Sequence, residues 1–140
     1  MTQSITDECH GVDGFLGDRQ LLIVQIMKLT ASIDDRHYDI VEALLTRFCQ
    51  QMIDYLSNGH FQIYTDLFPS QHQATVSKEY EVLDNSTRLA ICFNDQFANG
   101  AKLSLDILRT QLDELTLALE TRFELEDELI MQSKVTQMLA

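Results

Sequence analysis

In the run "ALETRFELEDELI", Arg122 and Glu126 stand four residues apart, so on a helix a guanidinium and a carboxylate meet across one turn. Both lie in or beside an apolar stripe formed by Leu119, Phe123 and Ile130. Arg19 is similarly placed, in phase with Leu16, Leu22 and Ile23. A charge that faces a helical core has to be paired, because an isolated buried ion loses its hydration without compensation. Three arrangements fit this inner polar cluster of Arg19, Arg122 and Glu126. It is a structural ion-pair network, a polar pocket near one end of a bundle that binds something, or a set of charges that point outward in a shifted phase. A small enzyme or metalloprotein would use the second arrangement. Asp127 borders the same stripe with Glu124 and Glu128, where a solvated acidic face is the simpler explanation.

Other chemistry finds less support. A di-iron helical bundle needs Glu-x-x-His twice and two further inward glutamates. The nearest approach here is Asp34-x-x-His37, and the four histidines are scattered. No Gly-rich phosphate loop, GxSxG or HExxH occurs, so no catalytic residue, metal ligand or cofactor is assigned. His60 follows Gly59 near the core edge of a helix, where a hydrogen-bonded structural role is commoner than ligation or catalysis.

The elements that must carry these residues are helices. Pro69 is the single proline, and the long segments between glycines repeat with a period near 3.6. Helix one is expected over Val12–Thr30, with Val12, Phe15, Leu16, Leu22, Ile23, Ile26 and Leu29 inward; Gly14 and Gly17 weaken its first turns by roughly 1 kcal/mol each. Residues 1–11 form an expected flexible N-terminal segment. "SIDDRHYD" connects to helix two, which starts near Asp35 and runs through Leu56, then either breaks at Asn58-Gly59 or continues to Leu67. Helix three spans about Gln73–Ala98, with Val76, Tyr80, Leu83, Thr87, Ile91, Asn94 and Ala98 inward. Helix four spans about Lys102–Gln137, with Leu105, Leu108, Leu112, Leu115, Leu119, Phe123 and Ile130 on one face. Four long amphipathic helices with short links predict an all-α, antiparallel up-and-down four-helix bundle in a single domain, residues 1–140.

Helix two also carries a second face. Gln50, Asp54, Ser57, Phe61 and Tyr64 fall roughly 130° from the stripe of Leu45, Cys49, Met52 and Leu56. Aromatics on a polar face are characteristic of interface anchors, although a helix packed on both sides would place Phe61 in the core.

With 45% hydrophobic residues the chain is globular, and no apolar run reaches the roughly 18 residues a membrane helix needs. The first residues carry neither a basic nor an apolar leader region, and Cys9, Cys49 and Cys92 form no CxxC, so a reducing cytoplasm is expected. The net charge of −12 argues against direct nucleic-acid binding. It suits solubility, or a partner with a basic surface.

Two blocks resemble the strongest signatures of the regulator of sigma D family, also called Rsd/AlgQ. "FCQQMIDYLSNGHFQIY", residues 48–64, has the family's FCQ, DY, LS, GHF and IY; "ALETRFELEDELI", residues 118–130, has its ALE, RF, LED and LI. "VDGFLGDRQLLIVQIMKL" and "NSTRLAICFND" match more loosely. Where the family has Arg-Trp after the first aspartate, this chain has Gly14-Phe15, and it has no tryptophan.

The resemblance implies a helical bundle without catalysis of its own that acts as an anti-sigma factor. Such a protein binds the primary sigma factor of bacterial RNA polymerase, chiefly its basic region four, and blocks its promoter −35 and core-enzyme contacts, which favours alternative sigma factors in stationary phase. It further implies a partner-facing surface at Asp54, Ser57 and Phe61, to which Tyr64 on the same face and Asp13 and Leu16 on the first helix are added as candidates, and it leaves His60 and Asp127 as motif residues of uncertain role. A phosphocarrier protein and a stringent-response enzyme are further partners that the family brings. The alternatives are a bundle that regulates another cytosolic protein, and a diverged paralogue with a different partner.

Overall fold

The computed structural model describes residues 3–59, 78–98 and 104–139. Four helices occur in the order α1 (Gln3–Asp34), α2 (Tyr38–Gly59), α3 (Lys78–Phe97) and α4 (Leu105–Leu139), with no strand among the described residues. α1 therefore begins at Gln3 rather than near Val12, and extends past Thr30.

The end of α1 explains the tight link to α2. Arg36 adopts a left-handed backbone with φ of 58°. Its N–H donates to the carbonyl of Ile33 at 3.0 Å, and the N–H of His37 donates to that of Ser32 at 3.1 Å. These two bonds make a Schellman cap, with arginine where glycine is usual. The His37 carbonyl then accepts the first bond of α2, from Val41 at 2.9 Å. Ser104 caps α4, its hydroxyl accepting from the Ile107 amide at 3.4 Å.

Packing runs α1 on α2 and α3 on α4, and the ring closes through α2–α3 and α4–α1. Cross-helix contacts fix the directions. Arg36 meets Asp106 and Arg109 meets Asp34 at one end, while Arg19 meets Glu126 further along the same two helices, so α1 and α4 run opposite ways. Phe15 against Tyr55 does the same for α1 and α2, and Ser86 against Arg122 for α3 and α4. The result is an up-and-down four-helix bundle.

The expected stripe of α4 is buried along its length, from Leu105 through Phe123 to Ile130. α3 differs from expectation. Its buried residues are Ser86, Ala90, Phe93 and Phe97, and Ile91 is 47% exposed. The inner face is rotated by one residue, roughly 100°. Phe93 and Phe97 together bury more apolar surface than Ile91 could, and Phe93 packs edge-on against Phe48 of α2 at 5.6 Å. Val76 lies outside the described residues.

The glycines separate cleanly by surroundings. A Cβ on Gly14 or Gly17 would meet nothing within 4 Å, whereas one on Gly59 would come 2.9 Å from Cε1 of Phe15 and 3.4 Å from Oε2 of Glu126. Gly59 is what lets the end of α2 close on α1 and α4. Gly14→Ala and Gly17→Ala should each raise stability by about 0.5–1 kcal/mol. Gly59→Ala should lower it by about 1–3 kcal/mol through overpacking. Urea melts of the three variants check this contrast, and an unaffected Gly59→Ala would refute the close approach.

A buried ionic centre beneath an acidic groove

The side chains that cross the bundle interior converge on one carboxylate. Glu126 is fully buried. Its Oε2 accepts from Nε of Arg122 at 3.1 Å. Its Oε1 accepts from the Tyr55 hydroxyl at 2.5 Å and from Nη2 of Arg19 at 3.3 Å. Arg19 also donates from Nε to the Tyr55 oxygen at 3.1 Å and from Nη1 to Asp127 at 2.5 Å. Nη1 of Arg122 is directed at α3 and donates to Ser86 at 3.1 Å, Thr87 at 2.9 Å and the Leu83 carbonyl at 3.4 Å. Every helix thus supplies a group.

Apolar rings close the centre from water. The Arg19 guanidinium lies 5.6 Å from the Phe15 ring centre and 5.0 Å from that of Phe123. Phe15 stacks on Tyr55 at 4.6 Å, and Phe123 meets Tyr55 edge-on at 5.5 Å. Phe15 is therefore a core residue that roofs the ions, 2% exposed.

Burial, and then the Glu126 carboxylate, hold the Tyr55 hydroxyl above the ordinary phenol range. Burial works against the charge of Arg19, but its bonds to Asp127 and Tyr55 and the charge of Glu126 outweigh that, and its guanidinium is more firmly protonated than usual. Burial alone pushes the Cys49 thiol up to about 11.

On the outside of the same helices lies a groove of about 270 Å³ between α1 and α2, lined by Asp18, Leu21, Gln51, Asp54, Tyr55, Ser57 and Asn58. It is acidic at both walls, and the Gln51 Oε1 is buried there without a hydrogen-bond partner. Leu21, Val24 and Met27 are exposed along α1, at 55%, 40% and 65%. An acidic groove with an exposed leucine in its lining suits a cationic, partly apolar partner.

Arg19, Arg122 and Glu126 are brought together, and Asp127 joins them from the surface with 60% of its side chain exposed. Asp54 and Ser57 are exposed and line the groove. Asp13 is exposed but is not part of the lining, and Leu16 is half-buried against the core. His60, Phe61 and Tyr64 lie outside the described residues. Among the described residues, no three His, Cys, Asp or Glu side chains are grouped to hold a metal ion.

Sequence reasoning turned Thr87 inward but gave it no partner, and passed over Tyr55 and Ser86 in the centre and Asp18, Leu21, Gln51 and Asn58 in the groove. One signal was present. Tyr55 lies on the buried side of α2 beside Met52 and Leu56, and a buried tyrosine hydroxyl needs a partner.

The family model described as "Regulator of RNA polymerase sigma(70) subunit, Rsd/AlgQ" matches residues 1–134. The chain belongs to this family. Among similar proteins, the regulator of sigma D of Yersinia enterocolitica is 29% identical over 143 residues, covering 93% of this chain and 84% of that one. The regulator of sigma D of Sodalis glossinidius is 32% identical over 126 residues, covering 87% and 86%. No solved structure matches with significance. In this member of the Rsd/AlgQ family, then, the signature residues Arg122, Glu126 and Asp127 build the ionic centre, while Asp54 and Ser57 of the other signature line the groove above it.

Two outcomes follow from the centre. Arg122→Ala leaves Glu126 without one of its charged partners and should cost about 3 kcal/mol or more. A loss below roughly 0.5 kcal/mol in urea melts is what an exposed pair would give.

The second outcome concerns alkaline pH. Folded Tyr55 and Cys49 keep protons that the unfolded chain releases near pH 10 and pH 9. The native state then binds more protons, so this stability is complete below pH 9 and is lost as pH rises. Each group contributes a slope of at most about 1.4 kcal/mol per pH unit. Tyr55→Phe should lower stability at pH 8 by about 1–3 kcal/mol and flatten the fall above pH 10. Urea melts across that range test both effects, and an unchanged alkaline slope in the variant contradicts the assignment.

Proposed function

We propose that this protein is a stoichiometric anti-sigma factor. It binds the primary sigma factor of its bacterium, chiefly the basic region four, and blocks the promoter −35 and core-enzyme contacts of that region. It works in the cytoplasm, without catalysis and without a cofactor. The observation that carries the reading is the acidic groove between α1 and α2, in a chain of net charge −12 that belongs to a family of sigma(70) regulators.

Asp18 and Asp54 offer carboxylates to lysines or arginines that would otherwise meet DNA phosphates. Leu21 offers apolar contact beside them. Ser57 lines the same groove, and we assign Phe61 and Tyr64, from their sequence pattern, as aromatic anchors for the partner. No described helix is long and apolar enough to cross a membrane. Nothing among the described residues favours a phosphocarrier protein or a stringent-response enzyme as partner.

Titration calorimetry with the primary sigma factor should give a one-to-one complex whose association slows as salt rises from low to physiological. Asp54→Lys should weaken it by about tenfold or more at low salt while leaving the melting temperature nearly unchanged. Absence of heat and of any complex at low salt, with both proteins folded, would sink the reading.

A further inference from the structure

The groove and the ionic centre share a wall. Tyr55 lines the groove, yet the residue is only 1% exposed and its hydroxyl points inward to Glu126. Asp18 of the groove is the chain neighbour of Arg19 in the centre. Asp54 is the neighbour of Tyr55, and Asn58 is the neighbour of Gly59, which sits against Phe15 and Glu126. Three backbone positions of the partner surface are therefore pinned from behind.

The pins cross the gap that defines the groove. Arg19 on α1 donates to Tyr55 on α2 at 3.1 Å, and both bond the same Glu126 oxygen on α4. A separation and a rotation of α1 against α2 are thereby set by one carboxylate. A solvent-exposed pair could not do this, because it gains too little to hold two long side chains in one geometry. Here the groups are desolvated and each carries several bonds, so a small displacement breaks more than one of them.

We propose that the Arg19–Tyr55–Glu126 contact is a positioning device for the partner surface: it sets the spacing of the Asp18 and Asp54 carboxylates across the groove, and thereby affinity for the basic partner. This rests on the sigma-binding reading of the groove. Arg19, Tyr55 and Glu126 are positioning residues that act through their neighbours. The half of the centre toward α3, where Arg122 meets Ser86 and Thr87, secures the bundle without touching the groove.

That division provides the test. Full-length Tyr55→Phe and Ser86→Ala each delete one hydroxyl from the centre, the first on the groove side and the second on the α3 side. Both are compared with wild type for binding to the primary sigma factor, at a temperature where each is fully folded by melting. Tyr55→Phe should weaken binding by about threefold to thirtyfold, the range for substitutions that act without touching the ligand, and Ser86→Ala by less than about twofold. A double-mutant cycle of Tyr55→Phe with Asp18→Ala should be non-additive, since a displaced Asp18 has less to lose.

Equal affinity of wild type and folded Tyr55→Phe overturns the positioning role while leaving the sigma reading intact. So do equal losses in both variants, or strict additivity in the cycle. If wild type itself binds no sigma factor, the sigma reading fails instead. The positioning role is then judged on amide hydrogen exchange. Tyr55→Phe should speed exchange at Ser57 and Asn58 by about tenfold more than Ser86→Ala does, and equal exchange overturns it.

Discussion

A single carboxylate without access to water holds this molecule in register. Glu126 accepts from groups on three helices, and through Arg122 it reaches the fourth. Apolar packing would hold four amphipathic helices together in many slightly different alignments, since leucines slide past one another at little cost. Directional bonds to one point remove that freedom. A network of this kind is a poor source of net stability compared with apolar residues of the same volume, so its benefit lies in selecting one alignment. Phe15, Phe123 and Gly59 serve that selection: two rings keep water out, and a missing side chain lets α2 come close.

A firm interior bears on how the proposed partner surface would select its partner. The two aspartates of the groove between α1 and α2 stand on different helices. Charges in such a place attract any basic protein. Discrimination requires that their spacing be fixed, so that a partner with a matching pair of cations gains and a mismatched one does not. The opposite end of the bundle shows the contrast. There Arg36–Asp106 and Arg109–Asp34 are exposed pairs, suited to solubility and loose alignment and to little more.

Much of this architecture was legible in the sequence, and the exceptions have physical causes. The stripe of α4 could be read because leucines recur at three and four residues without a gap. Arg19, Arg122 and Glu126 stood out because each interrupts an apolar stripe, where a charge requires a partner. α3 was rotated because its inner face is short and mixes Ser86 and Ala90 with two phenylalanines, so a period count gave Ile91 undue weight. Tyr55 was not singled out because its partner lies 71 residues away. Asp18 and Gln51 were invisible for a different reason: a groove comes from the way two helices pack, which periodicity along one helix does not encode.

The three-residue link between α1 and α2, capped by the left-handed Arg36, has a consequence for the chain as it leaves the ribosome. Both walls of the groove belong to the first 59 residues and are joined by a local turn, so they can pair early and quickly. The carboxylate that locks them is made only at position 126. A growing chain therefore displays an unfinished version of the proposed binding surface until α4 is made. The surface is completed only when the last helix emerges, which ties the appearance of the competent groove to the completion of the bundle.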